Sequence, residues 1–222
     1  MLEGTQPLME RKLLTATSLT LLALITTGCS DSPAPAKQAE VKKPVEALPI
    51  SGQSAIFQTF QVARTWAPDA MLLKLENGDI PEAKAQPGKY GLWRAIYVSR
   101  SKNVRREYTY AAADSEGGVI KGARAGADSG YAANPQVHPF AVQEVRVDTV
   151  AAHETAMKEV DSDAQMKKVL AENKDLPVQY LLEWTGSAPK PQWRVIFGVT
   201  VSQSKFSILI DANSGKFVRK LR

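Results

Sequence analysis

The sequence predicts an α+β protein: two tandem modules, each a helix packed on a small antiparallel sheet, placed after a signal peptide and a flexible linker. Three observations lead there. Trp93-Arg94-Ala95-Ile96-Tyr97 matches Trp193-Arg194-Val195-Ile196-Phe197 in residue type at every position. The same series of features surrounds both copies: a turn-rich approach, the Trp strand, a second apolar strand, an acidic glycine-containing turn and a short closing strand. Near residue 50 the composition changes from Pro, Ala and Lys to patterned apolar sequence, which marks the start of the folded part.

Residues 1–28 read as an export signal. Arg11 and Lys12 give the positive start, Leu13 to Thr27 is apolar with interspersed threonines, and Gly28 is the small residue before the cut. Met9-Glu10-Arg11-Lys12 offers a more compact start to the same signal. The apolar stretch falls short of the roughly 20 residues that a comfortable bilayer span needs. Thr26-Thr27-Gly28-Cys29 resembles the lipobox of bacterial lipoproteins, with Thr26 standing where leucine is usual. The resemblance implies cleavage after Gly28, then a diacylglyceryl thioether and an acyl chain of the palmitate class on Cys29. Several chains exceed the two-signal requirement for stable anchoring. Ser30, rather than Asp, follows the cysteine, and by the same resemblance this points to the outer membrane, facing the periplasm. Residues 29–50 are then a lipidated cysteine and a Pro/Ala/Lys-rich tether, a composition that cannot bury a core.

The first module is expected over 51–126. Ser54 is placed to cap a helix running to about Trp66 and ending before Pro68. Met71–Leu75, Leu92–Val98, Arg105–Tyr110 and Val119–Ala123 read as strands. Residues 127–146, rich in Gly, Ala, Asn and Pro, read as a join. The second module, 147–222, opens with a helix capped by Asp148 and a shorter helix from Asp163 to Glu172. Strands follow at Val178–Trp184, Gln192–Val201, Phe206–Ile210 and Lys216–Leu221. A helix followed by an antiparallel meander buries one sheet face under the helix.

Composition excludes more chemistry than it suggests. A single cysteine, Cys29, forbids an intramolecular disulfide and a thiolate-rich zinc site. The net charge of +5 permits acidic partners but does not demand nucleic acid, which export disfavours further. The two histidines, His138 and His153, sit in no metal-ligand spacing, and His153 lies on the apolar stripe of its helix as a hydrogen-bonded core residue would. Asp211 to Gly215 resembles the opening of a calcium loop, but the closing glutamate that such a loop needs is absent. Ala127-Asp128-Ser129-Gly130 has neither the spacing of a nucleophile elbow nor a base placed beside it, and reads as flexible join. No catalytic residue, metal or cofactor is expected, and the chain is read as a non-enzyme. Arg100, Lys102, Arg105 and Arg106, with Tyr108 and Tyr110, are the expected binding surface at a hairpin tip. Exposed tyrosines there would mark a binding face, and tyrosines buried between modules would mark a structural role.

Gln192-Trp193-Arg194-Val195-Ile196-Phe197, followed by Ile208-Leu209-Ile210-Asp211-Ala212-Asn213-Ser214-Gly215-Lys216, resembles a PepSY domain. The likeness covers residues 147–222 well and 51–126 more weakly, through the repeat. In the motif, Asp211 bonds its own turn and Gly215 takes the positive φ. The resemblance implies a binding module without catalytic residues, in a family found in peptidase propeptides and envelope proteins. It implies a lipid-anchored partner of another envelope protein, with peptidase restraint as one role and a structural or assembly factor as the alternative.

Overall fold

The computed structural model describes residues 47–221, so Gly28 and Cys29 lie outside the described residues. Two short strands, β1 (Ile50–Ser51) and β3 (Lys89–Tyr90), pair with each other. The remaining strands are β2 (Met71–Gly78), β4 (Leu92–Ser99), β5 (Val104–Ala111), β6 (Gly122–Gly130), β7 (Val178–Glu183), β8 (Gln192–Gly198), β9 (Ser204–Asp211) and β10 (Phe217–Leu221). They form one antiparallel sheet in the order β10-β9-β8-β7-β2-β4-β5-β6. Among the described residues three α-helices, α1 (Gly52–Trp66), α2 (Thr149–Ser162) and α3 (Ala164–Glu172), complete the α+β fold. None of the described helices is long and apolar enough to cross a membrane.

The two stretches expected as tandem modules share this sheet and are not separate bodies. Each contributes a four-stranded meander, and β2 pairs with β7 through Lys74↔Glu183, Leu75↔Leu182 and Glu76↔Leu181. Beyond that short seam the strands part, and residues 137–140 fill the gap. Phe140 exchanges both backbone hydrogen bonds with Leu72, at 2.8 and 2.9 Å, and His138 N–H donates to the Trp184 carbonyl at 2.8 Å. Residues 127–130, read from the sequence as the start of a flexible join, are instead the end of β6. They pair with β5 through Arg106↔Asp128, Arg105↔Ser129 and Val104↔Gly130.

Helix starts follow local chemistry. Ser51 caps α1, three residues before the expected Ser54, and its Oγ accepts from Ser54 N–H at 3.4 Å. Ser51 is extended and belongs to β1, so the strand fixes where the helix can begin. Helix α1 stops at Ala67, whose extended backbone suits a residue before Pro68. Asp148 caps α2, and Asp163 caps α3 by accepting from Gln165 N–H and Met166 N–H.

The larger of two core clusters runs through both halves, and a smaller one gathers Ile80, Ala83, Leu92, Ala111 and Ala112. Trp93 and Trp193 are fully buried, and each spends its indole N–H on the residue that leads into its own half's first helix. Trp93 Nε1 donates to the Ile50 carbonyl at 3.0 Å, and Trp193 Nε1 to the Val147 carbonyl at 2.8 Å. The helix starts then meet. Gly52 N–H donates to Thr149 Oγ1 at 2.8 Å, and Gln53 N–H to Asp148 Oδ1 at 3.0 Å. Gly52 has no room for a side chain, because a Cβ there would lie 2.7 Å from Trp193 and 3.2 Å from Trp93.

Candidate binding surface

The basic and aromatic residues expected to share one surface are divided by the sheet. Register places Arg106, Tyr108 and Tyr110 on the side that carries the helices, with Arg105 on the other. Arg106 pairs with Asp128 and lies 4.9 Å from the centre of the Trp66 ring. Hydrogen bonding to Arg106 holds the Asp128 carboxyl below its usual range. Lys102 stands 5.4 Å from the same ring and donates to the Trp66 carbonyl, closing the end of α1. Arg100 is exposed at the hairpin tip, and Arg105 Nε donates to Ser129 Oγ at 3.3 Å.

Tyr108 is not a surface residue. It is fully buried, edge-on to Tyr97 at 5.4 Å and to Trp66 at 6.3 Å, and its hydroxyl has no hydrogen-bond partner among the described residues. It sits in the first half's own core under α1, neither exposed nor between the halves. Tyr110 is half-buried against the same core. The alternating pattern of β5 is readable in the sequence, but the helix covering one of its faces is not.

Asp211 and Gly215 form a self-contained turn. Asp211 Oδ1 accepts from Ser214 N–H at 2.7 Å and Asn213 N–H at 2.9 Å, and Gly215 has φ +73°. Burial opposes ionisation of Asp211, but these bonds outweigh it and hold the carboxyl below its usual range. His153 Nδ1 lies 2.7 Å from the Tyr180 hydroxyl, which accepts from Gly88 N–H at 3.0 Å. The imidazole tautomer decides which of the two groups donates in that contact. Burial lowers the His153 pKa, which disfavours the charged ring. His138 packs edge-on against Trp184 at 5.5 Å, away from that network. No group of three His, Cys, Asp or Glu side chains among the described residues is arranged to hold a metal.

The helices pack on one face of the sheet, and the opposite face is clad by charge. Around the β2–β7 seam, Lys74, Arg94, Arg105 and Arg194 stand against Glu76 and Glu183. Beneath their stems, Leu181 and Ile196 are buried although no helix covers them. Burial raises the Glu183 pKa, with Glu76 adding to the effect and Lys74 and Arg194 opposing it. Two cavities flank the seam. One, about 420 Å³, lies between Arg105, Glu183 and the segment from Gly130 to Val137. The other, about 520 Å³, lies between Lys74, Arg94, Gln179 and the β8–β9 tip at Val199–Ser202. Of the residues expected to bind, Arg105 borders this surface; sequence reasoning missed the rest of it. Its one signal was the departure of Gly198 from Val98 at matching places in the repeat, with Val199 and Val201 beside it.

No protein-family model matches the chain, and no curated protein matches it. Among solved structures, a candidate lipoprotein from Clostridium difficile 630 is similar to this chain. It shares 12% identity over 75% of this chain and 91% of its own length, with a TM-score of 0.37.

Proposed function

We propose that this chain is a lipid-anchored, non-catalytic binding protein of the bacterial cell envelope that holds another envelope protein on its open sheet face. The observation that carries this reading is the face itself: a broad sheet surface without helices, rich in arginine and lysine and indented on both sides of its seam. An excess of cations over carboxylates suits an acidic partner surface. The lipobox-like Thr26-Thr27-Gly28-Cys29 supplies the anchor in this reading, and residues 30–49 the tether. The repeat and the PepSY-like motif support an origin by duplication and make an envelope peptidase the partner to test first. A second reading, an assembly factor, is favoured by the sheet's two edge strands, β6 and β10, of which β6 is exposed along most of its length.

Crosslinked capture from envelope membranes, with the full lipidated chain as bait, tests the proposal. Recovery of a peptidase whose activity falls on adding the chain supports peptidase restraint. Recovery of a transport or assembly complex favours the second reading, and recovery of no protein sinks both.

A further inference from the structure

Beside the cavity at the β8–β9 tip the two halves turn differently, and Gly198 is one of the residues at which they differ. In the first half β4 runs into its hairpin through Val98, which is buried and in regular register with Arg105. In the second half the matching residue is Gly198, with φ +151°, and the β8–β9 register shifts there. A Cβ on Gly198 would lie 2.5 Å from the Ser204 Cα, so only glycine permits this bend. The bend leaves Val199 61% and Val201 42% exposed as one wall of the cavity. Leu181 and Ile196 extend that apolar side.

The opposite wall is polar, with one cation to spare. Lys74 is engaged by Glu76 at 2.6 Å, whereas exposed Arg94 has no ion pair among the described residues. Its guanidinium lies over Gly78, where a Cβ would stand 3.3 Å from Nη1. Asn77 Nδ2 donates to Gln179 Oε1 at 2.8 Å, which leaves the Gln179 amide N–H groups to donate. The cavity thus offers one uncompensated positive charge, amide donors and an apolar wall, in a volume ordinary for a small-ligand site.

We infer that this cavity binds the carboxyl-terminal end of an extended peptide with apolar last residues. The carboxylate sits on Arg94, a planar fork suited to it. Gln179 pairs with peptide backbone, and the last side chains lie on Val199 and Val201. Backbone pairing selects a peptide over a fatty acid, which offers a carboxylate and a chain but no amides. The inference narrows the proposed binding role to one cavity and rests on that reading only in taking a protein as the partner. Whole-face capture of a partner does not require Arg94, so the two can fail separately.

The test uses the full chain in detergent and fluorescein-labelled Gly-Ala-Val-Leu, as free acid and as carboxamide, read by fluorescence anisotropy. The free acid should bind roughly tenfold or more tightly than the amide. Arg94→Gln should remove that difference and Val201→Asp should weaken both peptides. Lys158→Gln, exposed on α2 on the other side of the sheet, should change neither. Unaltered thermal unfolding of Arg94→Gln shows that the loss is not misfolding. No binding, equal binding of acid and amide, persistence of the difference in Arg94→Gln, or displacement of the acid peptide by octanoate at equal concentration overturns the inference.

Discussion

At the scale of single residues, the contacts most sensitive to change lie where the two halves touch. Gly88 has φ +72° and its backbone is pressed against α2, so that a Cβ there would lie only 2.6 Å from the Val150 backbone. It also receives Thr149 Oγ1–H at its carbonyl and gives its N–H to Tyr180. Gly88→Ala therefore combines a strained backbone with a steric clash, and should destabilise the fold by about 3 kcal/mol or more, read from urea midpoints. His153 adds a pH dependence. Its folded pKa lies below the 6.5 of a solvated imidazole, because burial disfavours the charged ring. Above 6.5 neither folded nor unfolded imidazole is charged, and the Tyr180 contact contributes in full. As pH falls through the window between 6.5 and the folded value, the unfolded chain takes up the proton first and stability drops. His153→Phe should flatten the stability profile across that window. A slope that this substitution leaves unchanged between about pH 7 and pH 5 would assign the dependence to other groups.

At the scale of elements, one carboxylate serves two helices. Asp148 Oδ1 accepts from Thr149 N–H at 2.7 Å at the start of α2 and from Gln53 N–H at 3.0 Å at the start of α1. Losing an ordinary N-cap costs about 1 kcal/mol. Asp148→Ala should exceed that and exceed Ser51→Ala, whose hydroxyl serves only α1. Equal losses in the two variants would mean that the Gln53 contact contributes nothing. The same elements show what the sequence could tell. The Trp strands, the Asp148 and Asp163 caps and the Asp211 turn are each fixed by neighbours within a few positions, and local pattern reveals them. Strands β1 and β3 are two residues each and exist only through each other, so no period announces them. Gly122–Gly130 carries no apolar alternation, because as an edge strand it buries little; its Gly and Ala content reads as loop. The seam cavity depends on β2 meeting β7 across a long stretch of chain, and no local signal encodes that pairing.

At the scale of the molecule, the seam decides whether the halves are independent. Three ladder pairs join β2 to β7, and Asn77 adds side-chain bonds to Gln179 and Tyr180; taken alone these would be a weak hinge. Three further ties cross the same boundary: the shared helix caps, the Gly88 loop on α2, and Tyr90, whose hydroxyl donates to the Val178 carbonyl. Trp93 and Trp193 close on Gly52 from both sides, so the buried centre belongs to neither half alone. Opening the seam would expose two strand edges and strip several buried backbone groups of their partners, each a loss of about 1–3 kcal/mol. Those losses are large against the roughly 5–15 kcal/mol that typically stabilises a domain. The chain should therefore unfold in one cooperative step. Urea curves followed by tryptophan fluorescence and by far-UV circular dichroism should coincide, and a fragment of residues 51–126 should show no protected amides in hydrogen exchange. Two separated transitions, or a fragment that protects its own β4 and β5, would show that each half carries its own stability and that the seam is only a contact.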